Sequence, residues 1–83
     1  MKRYEILSVF EELAERGYDV ECEDGRYTIK GARGEIKFDK FDGRRDKLAF
    51  STSDGKAGEI NTKKAEMLDI VILIVSAVGA SQI

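Results

Sequence analysis

The chain has 83 residues, 36% of them charged and 42% hydrophobic, enough for one small domain around a single modest core and unlike a disordered polyelectrolyte. Its net charge of −2 argues against a general attraction to nucleic acid or acidic lipid. One cysteine excludes an internal disulfide, and the absence of histidine removes the commonest metal ligand and general base.

No secretory pattern opens the chain, since Lys2-Arg3-Tyr4-Glu5 leads into a charged amphipathic segment, so the cytosol is the expected compartment. A single Asn, a single Gln and abundant Glu, Lys and Arg match the bias of thermophilic proteins.

From about Lys2 to Arg16, Ile6, Leu7, Phe10, Leu13 and Ala14 recur at helical spacing. Glu5, Glu11, Glu12 and Glu15 fall on the opposite side, which predicts an amphipathic helix ended by Gly17.

Four short alternating runs follow. Tyr18, Val20 and Cys22 alternate with acids, Asp24-Gly25 is a strong hairpin signal, and Tyr27 and Ile29 alternate with Thr28 and Lys30. A two-residue turn there sets Cys22 against Tyr27 and Val20 against Ile29 inside, with Glu23 against Arg26 and Asp19 against Lys30 outside. After Gly31-Ala32-Arg33-Gly34, a register with Ile29 opposite Ile36 also pairs Lys30 with Glu35 and Arg26 with Asp39. A loop near Phe41–Arg45 then returns as residues 47–51, with Phe38 expected opposite Leu48, Ile36 opposite Phe50 and Asp39 opposite Lys47. One register per turn places the apolar residues on one face and opposite charges across the other, at about 0.2–1 kcal/mol per pair.

Residues 53–60 read as a Gly-rich connection. Beyond it, Met67 to Ala80 carries one charge and one hydroxyl. Its β-branched residues would allow a strand, but periodicity favours a helix over about 62–79, with Asn61 as N-cap. At roughly 100° per residue, Thr62, Glu66, Asp69, Leu73, Ser76 and Ala80 form a stripe about 80° wide, leaving an apolar arc of about 220°. Such a helix must be covered from more than one direction. The fold expected is a single α+β domain over 1–83: two-layer α-β-β-β-β-α, a four-stranded antiparallel meander with both helices on one face.

Several features are candidate sites. Residues 26–47 carry a net charge of +4 between flanks of −5 and −1. Arg33, Lys40, Arg44 and Arg45 lie in turns at opposite ends of the sheet without obvious acidic partners and are candidate nucleic-acid or anion contacts. The interleaved Asp39, Asp42 and Asp46, and the lack of an outer aromatic row, favour a solvated charge ladder instead. Phe41 breaks the alternation and is read as closing the core edge, with an exposed ligand anchor as the alternative. Ser51–Gly58 has the composition of an anion-cradling loop before a helix but lacks P-loop spacing.

Cys22 is expected to be packed, with no His to activate it, and no metal-ligand spacing occurs, so neither an enzyme nor a cofactor is expected. Asp69 argues against a tail anchor. The last helix is read as a self-complementary interface in which Ile70, Leu73, Ile74 and Val78 meet a second copy. The functional expectation is a non-enzymatic protein-protein interaction domain, homodimeric through that helix. The alternatives are a nucleic-acid-binding regulator using the basic turns and a small viral or host-defence inhibitor docking a larger protein.

Overall fold

The computed structural model describes residues 2–42 and 44–81. In chain order it contains α1 (Arg3–Glu15), β1 (Asp19–Glu23), β2 (Arg26–Lys30), β3 (Glu35–Phe38), β4 (Lys47–Thr52), β5 (Ala57–Asn61) and α2 (Met67–Val78). The five strands form one antiparallel sheet in the order β1-β2-β3-β4-β5, so the architecture is α+β.

The first two turns follow their chemistry. Asp24 and Gly25 both have positive φ, 53° and 78°, as a two-residue hairpin turn with right-handed twist requires. Glu23 then pairs with Arg26 and Cys22 with Tyr27, while Ile29 pairs with Ile36 and Lys30 with Glu35 in the next hairpin. Arg26 Nε lies 3.0 Å from Asp39 Oδ1 across the outer face.

The expected four-stranded sheet has a fifth strand. Ala57-Gly58-Glu59-Ile60-Asn61 pairs with β4 through a turn containing Asp54-Gly55, with Gly55 at φ 91°. Gly58 faces the ring of Phe50, where an added Cβ would stand 3.0 Å from Cζ and 3.3 Å from Cε1. The same glycine that makes the segment look like a linker lets Phe50 lie across the strand.

The β3–β4 register also differs from expectation. Phe38 pairs with Phe50 and Ile36 with Thr52, a shift of two residues that keeps the same side chains inward. Asp39 N–H donates to Ala49 O at 2.9 Å, and Lys47 lies 3.5 Å from Glu59 of β5. Lys47 is thus held by the unforeseen strand, and the β3–β4 loop is correspondingly wider.

The last helix is shorter than expected. Asn61 Oδ1 accepts the N–H groups of Lys63 and Lys64 at 3.1 and 3.3 Å, but this cap closes only one turn. Glu66 is extended (φ −99°, ψ 164°), and its N–H donates to Asp69 Oδ2 at 2.8 Å to begin α2 afresh. The break has a packing reason. Thr62 is fully buried and its N–H is bonded to Asp46 O, whereas Glu66, Asp69 and Ser76 are exposed. A continuous helix would hold all four in one stripe.

The core joins Ile6, Val9, Phe10 and Leu13 of α1 to Ile70, Ile74 and Val78 of α2 and to Ile29, Ile36, Phe38 and Leu48 of the sheet. Phe10 sits between Tyr27 and Phe38, with ring centroids 4.7 and 5.3 Å apart. Full burial of each aliphatic or aromatic side chain contributes about 1.5–3 kcal/mol.

Candidate functional site

The surface that stands out is the outer side of α2. Burying Ile70, Ile74 and Val78 against the chain's own core turns Leu68, Ile72 and Val75 outward, 64%, 54% and 38% exposed, with Met67 beside them at 42%. Residues 68, 72 and 75 follow a four-then-three spacing, the repeat of a helix seam that meets another helix.

This corrects the expected interface. Ile70, Ile74 and Val78 have no surface to offer a second chain, and Leu73 is half-buried against the core. Of the wide apolar arc, one side is buried by the chain's own core and the other is left exposed. Its inward and outward halves were exchanged because periodicity has no reference direction until the sheet supplies one.

The C-terminal end of α2 is tied to the β2–β3 turn. Ala32 N–H donates to Ala80 O at 2.8 Å and Arg33 N–H to Val78 O at 2.9 Å, while the Arg33 guanidinium donates to Ser76 O. Tyr18 Oη donates to Gly79 O at 2.8 Å. Arg33 therefore serves orphan carbonyls at a helix C-terminus, where a cation also opposes the negative end of the helix dipole. A contact that occupies its guanidinium in this way was not visible from the sequence.

Lys40, Arg44 and Arg45 are brought together at the other end of the sheet, where they line an open groove with Lys47, but Asp39, Asp42 and Glu59 line it too. Arg45 Nε is 3.6 Å from Asp42 Oδ2, and Arg44 N–H donates to Asp42 Oδ1 at 3.0 Å. Asp39 accepts the Lys40 N–H at 2.8 Å; this bond, with the Arg26 guanidinium second to it, holds its carboxyl below the ordinary value. The groove is of mixed charge, and Arg33 is not part of it.

The Ser51–Gly58 segment is the tip of the β4–β5 hairpin and runs into β5, not into α2. Asp54 accepts the Thr52 hydroxyl, the main reason its carboxyl is held below the ordinary value, and so fills the loop with its own anion. Ser53 Oγ accepts the Glu35 N–H at 3.0 Å. Lys63 and Lys64 precede α2.

Phe41 packs against the core as expected. Cys22, expected to be packed, is exposed on the edge strand. Burial, with the neighbouring Cys22 thiol second, raises the Tyr27 phenol above its ordinary value. Among the described residues, no group of three or more Cys, Asp or Glu could hold a metal ion, and no helix is long and apolar enough to cross a membrane. No protein-family model, curated protein or solved structure matches the chain.

Proposed function

We propose that the protein is a non-enzymatic protein-protein interaction domain that forms a homodimer through the outward face of α2. In this reading the chain is one cytosolic domain of two layers, with both helices over the apolar face of the sheet. The observation that carries it is the seam Leu68, Ile72 and Val75, an apolar stripe left uncovered on a helix whose Ile70, Ile74 and Val78 are fully buried on the other side. Soluble monomers rarely leave adjoining large apolar side chains this exposed without a use.

Charge placement supports a second copy as the partner. Glu66 and Asp69 mark the N-terminal end of α2, and Arg33 marks its C-terminal end. Two copies of α2 crossing antiparallel about Ile72 would set Leu68 against the partner's Val75 and bring Glu66 level with the partner's Arg33. Both helix dipoles would also be opposed. The twofold relation satisfies both ends at once.

Sedimentation equilibrium from low to high micromolar concentration tests the reading. A monomer–dimer equilibrium abolished by Ile72→Asp is expected, because that change places a charge at the centre of the seam. A wild-type protein that stays monomeric at several hundred micromolar would refute it.

A further inference from the structure

A cleft of about 280 Å³ opens at the end of the sheet away from Arg33, between the first two turns of α1, the β1–β2 turn and the start of the β3–β4 loop. Its floor is the core itself, since Phe10, Phe38 and Leu48 all line it. Tyr27 and Phe41, both half-buried, also line it. Close-packed interiors do not leave such room without cost, and water on an apolar floor finds few partners.

The mouth carries two cations and two carboxylates. Arg3 and Lys40 line it and make no ion pair among the described residues. Of the two carboxylates there, Asp39 is already engaged by Arg26 at 3.0 Å and by the Lys40 N–H, leaving Asp24 at the turn. The aliphatic stem of Lys40 crosses the β1–β2 turn beside Gly25, where a Cβ would stand in ordinary contact with it, 3.7 Å from Cγ and 3.8 Å from Cε.

We propose that this cleft binds a small organic acid with a flat apolar body, a monocyclic or bicyclic aromatic carboxylate, its ring on the Phe10–Phe38–Tyr27 cluster and its carboxylate between Arg3 and Lys40. The volume lies just under the roughly 300–1,000 Å³ usual for small-molecule sites, which excludes a long-chain lipid. The ring cluster supplies tilted aromatic contacts, and the two cations supply the preference for an anion. The site lies apart from the α2 seam and does not depend on self-association.

The test is an amide-resolved NMR titration of the full chain with 2-naphthoate and, separately, with its neutral isostere 2-naphthalenemethanol. Expected are shifts confined to residues 3–10, 24–27, 38–41 and 48, with the acid binding at least about threefold more tightly than the alcohol, the scale of one partly exposed ion pair. Lys40→Glu and Arg3→Glu should each lower the acid's affinity more than the alcohol's and so erase that preference, and Leu7→Trp should block both ligands by filling the cleft. Each variant's amide dispersion is read first. If Leu7→Trp does not fold, the exposed Lys40→Glu carries the test. Equal affinity for acid and alcohol, shifts centred on residues 68–75, or no saturable shift at millimolar ligand would each overturn the proposal.

Discussion

Replacing Gly31 by Ala tests whether the β2–β3 turn is the anchor of α2. A Cβ at Gly31 would stand 2.6 Å from Val78 O, 2.9 Å from Ala80 O and 2.9 Å from Val78 Cγ2. Two of these atoms are backbone carbonyls, and both accept hydrogen bonds from the same turn, from Ala32 and Arg33. The methyl group cannot be accommodated by a rotamer change; the helix end must move away from the turn. Overpacking of this kind costs about 1–3 kcal/mol, and losing two bonds worth about 0.5–1.5 kcal/mol each brings the total to about 2–6 kcal/mol. In a domain of this size about 4–8 °C of melting temperature is lost per kcal/mol, so a drop of at least about 8 °C is expected by calorimetry. Gly55→Ala is the control, because no atom lies within 4 Å of its Cβ and only the cost of a residue at φ 91° remains, about 1–2 kcal/mol. If Gly31→Ala lowers the melting temperature no more than Gly55→Ala, the anchoring argument fails.

Other substitutions separate core from surface on α2. Ile74→Ala should cost about 2–5 kcal/mol in urea unfolding, whereas Ile72→Asp should leave a folded monomer by light scattering. Glu66→Lys should weaken the dimer, and adding Arg33→Glu should restore part of the loss; a double variant no tighter than Glu66→Lys would reject the antiparallel crossing. Asp39 and Asp54 have lowered folded-state values, so their stabilisation is present above the ordinary Asp value of about 3.9 and is lost as pH falls through the folded values. Urea midpoints compared at pH 6 and pH 3 should therefore fall less in Asp39→Asn than in wild type. Cys22, exposed at the sheet edge, should react with a thiol reagent in the folded protein at nearly the rate of the unfolded chain, and strong protection would contradict that placement.

The sequence by itself determined what short-range physics controls. Asp24-Gly25 can hardly avoid a tight turn with both φ values positive, and from that turn inside–outside alternation sets the pairing of β1 with β2. The outer-face partnership of Arg26 with Asp39 followed from the same counting. β5 was legible in principle, because Asp54-Gly55 is the same hairpin signal and Gly58 and Ile60 alternate inward. It was missed because a strand with one large apolar side chain resembles a linker until Phe50 is seen lying over Gly58.

The tertiary structure decided the rest. A register shift of two residues preserves every inward side chain, so patterning could not distinguish Phe38 opposite Leu48 from the observed Phe38 opposite Phe50. Likewise, a helix apolar through some 220° has no preferred inward direction of its own. The direction was fixed by burying Thr62, restarting the helix at Glu66 and anchoring its far end on the turn at Gly31–Gly34. Those long-range constraints sent Ile70, Ile74 and Val78 into the core and left Leu68, Ile72 and Val75 facing outward.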